Sequence, residues 1–249
     1  MDDRPIGVLD SGVGGISVLR SLVRVLPDER YLYYGDTRNA PYGDRAEAEI
    51  RALTRAAAEH LLEQGVKALV IACNTATSAA VKVLRGELDI PVIGVEPALK
   101  PAAMARGQGK VLVMATAATL RQDKFQSLME RYGQDALVAP CPGLMEFAER
   151  GELDSPALDA YLDERLLPLR GERIDAVVLG CTHYVFLRSA VARHVPGARL
   201  FDGNLGTARR LEALLTEADA RSGGPGSVEF EASDPASLPV MRMLYELPG

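Results

Sequence analysis

The chain has no tryptophan, only three histidines and only three cysteines among its 249 residues. Cys73, Cys141 and Cys181 are odd in number and far apart, with no Cys-x-x-Cys pair. That spacing fits neither a disulfide framework nor a zinc site, and no metal is expected. Basic residues are not in excess either: the net charge is −6, with both signs interspersed. A nucleic-acid surface, which shows as a basic stripe, is therefore not expected. No apolar run approaches the ~20 residues of a membrane span. The charged start, "MDDRPIGVLD", passes straight into a strand-like run, so no signal peptide is expected and a reducing cytoplasm is the expected home. What is present, 47% hydrophobic and 25% charged residues, describes an ordinary globular protein able to build a substantial core.

Short apolar runs alternate with amphipathic segments almost throughout. They predict strands at Ile6–Leu9, Arg30–Tyr34, Ala68–Ala72, Val92–Val95, Val111–Ala115, Leu137–Ala139, Ala176–Leu179 and Arg199–Phe201. The stripe Ile50, Leu53, Ala57, Leu61 predicts a helix closed by Gly65. Regularity fades after Gly206, where "RSGGPGS" reads as a loop and "VEFEAS" as a late edge strand before a closing helix. Alternation of this kind predicts parallel sheets with helices on both faces. The expected fold is α/β: two pseudo-symmetric doubly wound domains with mainly parallel sheets, the active site in the cleft between them. "EPALKPA" (Glu96 to Ala102) marks the crossing, giving residues 1–95 plus 206–249 as one domain and 96–205 as the other. "VLVMATAATL" parallels "IGVLDSGVGG", as an internal duplication would leave it.

Two cysteines sit in matched settings. "ALVIACNTATSAAVKVLR" and "AVVLGCTHYVFLRSAVAR" each run from an apolar strand through a small residue, Cys and Thr-containing polar residues into a helix-like segment. Cys73 and Cys181 would both stand at the carboxyl end of a strand, where open α/β sheets bind ligands. A helix N-terminus there also lowers a thiol's pKa. Two thiols on opposite walls of one cleft suit a reaction that takes a proton from one face and returns it to the other. His183 lies two residues past Cys181, so an extended backbone points both to one side, and an imidazole there can draw a thiol toward thiolate or carry a proton. Cys141, before Pro142, has no such companions and reads as structural. His60, between Glu59 and Glu63 on a helix, and His194, near a helix end, read as solvated.

Other loops carry polar groups of the right kind. "VLDSGVGGIS" is a strand, a glycine turn and a helix start, and Gly12, Gly14 and Gly15 let backbone N–H groups approach an anion. A dinucleotide fingerprint would need glycine where Ser17 stands. Asp10 reads either as a helix N-cap or, with Cys73, as a proton partner of that thiol. "YYGDTRNAPYG" places Tyr42 and Gly43 where they can offer donors to a carboxylate, or simply form a surface turn. Asn74 and Thr75 can donate to a substrate carboxylate while Cys73 faces the reacting carbon, although a lone buried cysteine is usually inert.

Taken together, "DSGVGG", "GDT" with "PYG", "ACNTAT", "GVEPALKPA", "AT" followed by Thr119, and "GCTHY" resemble, in order and over nearly the whole length, the glutamate racemases of the aspartate/glutamate racemase superfamily. Asp10 and His183 favour the glutamate branch over the aspartate branch. The resemblance implies cofactor-independent two-base racemisation of a small-molecule substrate, glutamate, with D-glutamate supplied to peptidoglycan. It implies Cys73 acting on the D-isomer with Asp10 assisting, and Cys181 on the L-isomer with His183 assisting. Asp10, Ser11, Pro41, Tyr42, Gly43, Asn74, Thr75, Thr116, Thr119, Thr182 and His183 are the implied substrate-binding residues, and a homodimer is an expectation. Asp36 and Glu149 align with acidic residues implicated in some relatives. The chain departs from the family where Ala98 and Ala118 replace glycine, Val185 replaces proline and Gly203 replaces serine. If those two family glycines have positive φ, alanine there would alter the loops. Alternatives are a racemase of aspartate or a hydantoin, a non-catalytic ligand-binding module, and a redox pair, which needs the two Cα atoms within ~7 Å.

Overall fold

The computed structural model describes residues 1–248. The first sheet contains β1 (Ile6–Asp10), β2 (Arg30–Gly35), β3 (Ala68–Ile71), β4 (Val92–Gly94) and β9 (Ser227–Ala232). The second contains β5 (Lys110–Ala115), β6 (Ala136–Pro140), β7 (Ile174–Leu179) and β8 (Arg199–Phe201). Their orders are β4-β3-β1-β2-β9 and β6-β5-β7-β8, with every pairing parallel. Reading the second sheet backwards, β8-β7-β5-β6 repeats β4-β3-β1-β2. The two sheets are thus pseudo-symmetric, and Cys73 after β3 is the counterpart of Cys181 after β7. Each predicted strand appears to within two residues, including the edge strand β9.

Alternation along the strands decides what each face buries. In β1 and β3, Ile6, Val8, Ala68 and Val70 pack under α1 (Ile16–Val25), α10 (Asn204–Glu217) and α11 (Leu238–Glu246). Leu9, Leu69 and Ile71 pack on the other face, beneath α2 (Glu47–Leu62) and α3 (Asn74–Glu87), and Cys73 continues that row. In the second sheet Val177, Leu179 and Cys181 form one row, against α7 (Leu144–Glu149), α8 (Pro156–Leu166) and α9 (Arg188–His194). Val111, Val113 and Val178 face α4 (Leu99–Ala105) and α6 (Asp123–Tyr132). The short α5 (Ala117–Arg121) follows β5. Both faces are covered, which is why the strands read as continuous apolar runs rather than as alternating ones. Among the described residues no helix is long and apolar enough to cross a membrane.

The departures from the family pattern have ordinary geometry. Ala98 has φ −78°, Ala118 lies within α5, and neither has positive φ. At Gly203 a Cβ would run into the Glu96 carbonyl oxygen, so the two chain crossings touch there and a serine would force them apart.

At the opposite end of the strands from the cysteines, Lys67 and Glu29 form an ion pair at 2.6 Å with side chains 1% and 2% exposed. Lys67 also donates to the Ala220 carbonyl at 2.8 Å, and Glu29 accepts from Ser222 N at 2.9 Å. The pair thereby ties β2 and β3 to the loop before β9. Removing one partner strands a buried charge. Lys67→Met is therefore expected to lower the unfolding free energy by about 3–5 kcal/mol while leaving turnover at 25 °C near that of the parent. Urea unfolding with parallel activity assays tests both halves.

Candidate active site

Cys73 occupies the N-cap of α3, with extended backbone (φ −129°, ψ 123°), and its sulfur accepts from Ala76 N at 3.4 Å. A small polar run after a buried strand is a natural helix start, and here the capping atom is sulfur instead of oxygen. Ser11 Oγ lies 3.5 Å from the same sulfur. Burial and the nearby Asp10 carboxylate push the Cys73 thiol up to about 12, opposed by the Ser11 and Ala76 hydrogen bonds. Cys73 is therefore held as a thiol.

Cys181 has the same extended backbone (φ −137°, ψ 138°) but leads into a single 3₁₀ turn, Thr182–Val185. Its sulfur lies 3.5 Å from His183 Nδ1. His183 Nε2 in turn lies 2.6 Å from Glu149 Oε1, at the end of α7. Burial works against a charged ring, but Cys181 and Glu149 outweigh it and hold the imidazole well above the usual histidine range. Glu149 is likewise raised by burial but drawn below the carboxylate range on balance by His183 and by the Val13 N–H. The two matched thiols thus differ in their partners: a hydroxyl and a backbone N–H for one, an imidazole–carboxylate pair for the other.

Both sulfurs line one cavity of about 40 Å³. Its walls also hold Ser11, Pro41, Tyr42, Gly43, Asn74 and Thr75 from the first sheet's loops, and Thr116, Thr182 and His183 from the second's. Asp10 and Thr119 stand behind the wall. Asp10 is 1% exposed; its Oδ2 accepts from Gly12 N at 3.1 Å and Gly15 N at 3.0 Å. Burial raises the Asp10 carboxyl, offset in part by His183. Thr119 closes a triangle of hydroxyls, 3.1 Å from Thr75 and 3.0 Å from Thr116, with Thr75 and Thr116 3.2 Å apart. Asp10 Oδ1 and Asn74 Oδ1 are buried acceptors with no protein partner; of the two residues only Asn74 lines the cavity, where a substrate ammonium group can satisfy such an atom. Tyr42 donates to Asp36 Oδ2 at 2.7 Å, and Asn39 reaches the same carboxylate at 3.0 Å, so Asp36 braces the Pro41–Gly43 loop.

Glu149, singled out only by the family resemblance and given no role by the local run "FAER", is the outer partner of His183. Cys141, read as structural, is packed in the core with its S–H donating to the Ala139 carbonyl, yet it also forms part of the cavity wall. His60 is half exposed but paired with Glu231 at 2.6 Å. His194 is not solvated: its side chain is only 12% exposed, and Nδ1 lies 2.9 Å from the Ala190 carbonyl of the same helix.

Paired thiols at equivalent strand ends of two matched α/β units, sharing one cavity, are an arrangement suited to the chemistry of a racemase. The chain belongs to the Asp/Glu/Hydantoin racemase family, which it matches over residues 6–211. It is 47% identical to a glutamate racemase of Clostridium perfringens, across 99% of this chain and 93% of that one. Among solved structures it is similar to a Francisella tularensis glutamate racemase in complex with D-glutamate (TM-score 0.84, 29% identity, covering 99% and 95% of the two chains). It is also similar to an Escherichia coli glutamate racemase in complex with L-glutamate (TM-score 0.86, 34% identity, covering 97% and 95%).

The His183–Glu149 pair contributes to stability in a defined pH window. Glu149 is lowered from about 4.5, so its share is present above that value and lost as pH falls through the native one. His183 is raised from 6.5, so its share is full below that value and lost as pH rises through the native one. Glu149→Gln is expected to cost about 2 kcal/mol at pH 6, with the gap to the parent narrowing toward both extremes. Urea midpoints across the pH range check this; a constant gap contradicts an ion pair.

Proposed function

We infer that the chain racemises glutamate by two-base catalysis, with Cys181 and Cys73 as the bases on opposite faces of the α-carbon. The observation that carries this reading is the pair of thiols on one small cavity, each at the start of a helical turn and each with its own proton partner. The α-proton of an amino acid is very weakly acidic, and the chain has no evident pyridoxal lysine or flavin motif to spread the carbanion's charge. Stabilisation then falls to position, exclusion of water and preset dipoles. The tight cavity, with Ser11, Thr75, Thr116 and Thr182 on its walls, suits that task.

In the L-to-D direction, Cys181 takes the α-proton as its anionic sulfur, paired with the charged His183 ring. Cys73, held as a thiol by burial, delivers a proton to the opposite face. In the reverse direction the roles exchange, and a bound ammonium group near Asn74 favours charge on the Cys73 sulfur, with Asp10 acting from behind the wall. Ser11, Asn74, Thr75 and Thr182 hold the substrate's polar groups, together with the Pro41–Gly43 loop. Thr116 and Thr119 order Thr75 through the hydroxyl triangle. The assignment of residues 1–95 with 206–249 to one domain and 96–205 to the other belongs to the same reading. It is supported by the two strand orders, with the return crossing in the few residues before Gly206. A cytoplasmic, homodimeric enzyme and a supply of D-glutamate to peptidoglycan also belong to this reading.

Cys73→Ser and Cys181→Ser are each expected to lose racemisation by at least ~1000-fold while still binding glutamate in calorimetry. Substantial two-way turnover by either variant contradicts the scheme. In D₂O, product formed by the parent should carry deuterium at the α-carbon as it appears, and product without it rules out deprotonation. Turnover of L-glutamate and not of L-aspartate separates this reading from an aspartate-specific one.

A further inference from the structure

The turn Gly12–Gly15 reads in the sequence as a cradle for an anion, yet its N–H groups are engaged by the protein itself. Those of Gly12 and Gly15 go to Asp10 Oδ2. Val13 N–H donates to Glu149 Oε1 at 3.0 Å, and Gly14 N–H lies 3.2 Å from His183 Nε2. A Cβ on Gly14 would collide with the imidazole ring, so only glycine allows this approach. The fully buried Tyr33 donates its hydroxyl to the Gly12 carbonyl at 2.9 Å, fixing the turn from within the sheet. Further along, the buried Ser17 hydroxyl on α1 donates at 3.0 Å to the Thr182 carbonyl, which belongs to the peptide bond that leads into His183.

We propose that this turn is a clamp on the Cys181–His183–Glu149 relay, with Ser17 and Tyr33 as positioning residues for the reaction at Cys181. The proposal rests on reading His183 as the proton partner of Cys181. A 3₁₀ turn has poor internal hydrogen-bond geometry, and the four residues Thr182–Val185 carry both the substrate-facing Thr182 and the proton-carrying ring. Holding from outside is what keeps the sulfur–nitrogen distance at 3.5 Å. The clamp also serves both places the proton can rest. With the proton on Nε2, the ring donates to Glu149 and Val13 N–H supports the carboxylate. With Nε2 bare, Gly14 N–H is the donor that faces it. Neither Ser17 nor Tyr33 lines the cavity, so neither touches substrate.

The test is a double-mutant cycle of Ser17→Ala with His183→Asn, repeated with Tyr33→Phe, which keeps the ring and removes only the hydroxyl. Rates are read as deuterium wash-in at the α-carbon of L-glutamate, which stays measurable over days for slow variants. Ser17→Ala and Tyr33→Phe are each expected to lower kcat about fivefold, the value of one neutral hydrogen bond, with KM within about twofold. In the His183→Asn background each is expected to add nothing, because the ring they position is gone. An undiminished fivefold loss in that background, or a loss carried by KM, overturns the clamp and leaves the relay standing. Wild-type kcat for His183→Asn alone overturns the relay itself, and the clamp with it.

Discussion

The buried imidazole–carboxylate pair is the constraint around which this molecule is arranged, because it belongs to the second sheet but is satisfied by the first. Glu149 ends α7 and His183 sits after β7, while the N–H groups that face them come from the turn after β1. An ionised pair this deep is costly unless its remaining hydrogen-bonding capacity is met. Here the partners come from across the cleft. The contacts that join the turn of the first sheet to the second are also those that surround the ring beside Cys181.

Asp10 links the two sides of the cleft. Its Oδ2 shapes the glycine turn that faces His183, and its charge raises the Cys73 thiol. One carboxylate therefore reaches the surroundings of both sulfurs, of Cys73 through space and of Cys181 through the turn that faces His183. The two thiols occupy equivalent strand ends but have unlike surroundings, which suits the opposite roles of acid and base proposed for them. Pseudo-symmetry supplies the positions; divergence of the following turns, a regular helix after Cys73 and a 3₁₀ turn after Cys181, supplies the different chemistry.

Much of the fold was legible because buried parallel strands leave a blunt signal. Runs such as Ala68–Ile71 and Val177–Leu179 are apolar on both faces and stop at a polar residue, so their ends and the cysteines beyond them could be placed closely. The glycine turn was legible as a turn but not by its partners: three glycines indicate that something approaches the backbone, and an anion and a histidine ring are equally good candidates. His194 was misplaced because its position near a helix end says nothing of the helix packed alongside. Cys141 lacked polar companions in sequence, and its place on the cavity wall comes from β6 lying beside β5, a neighbour relation that no local pattern encodes.

What the chain determined by itself is the set of local decisions: which runs are strands, where each breaks, and which side chains stand at those breaks. These depend on interactions within a few residues, on periodicity and on backbone preference. Glu149 on His183, Tyr33 under Gly12, Ser17 on Thr182 and the contact of Gly203 with Glu96 were decided only by the tertiary structure. Each joins residues tens to more than a hundred positions apart, and a contact of that span exists only once the intervening sheets have closed and excluded the water that would otherwise take its place.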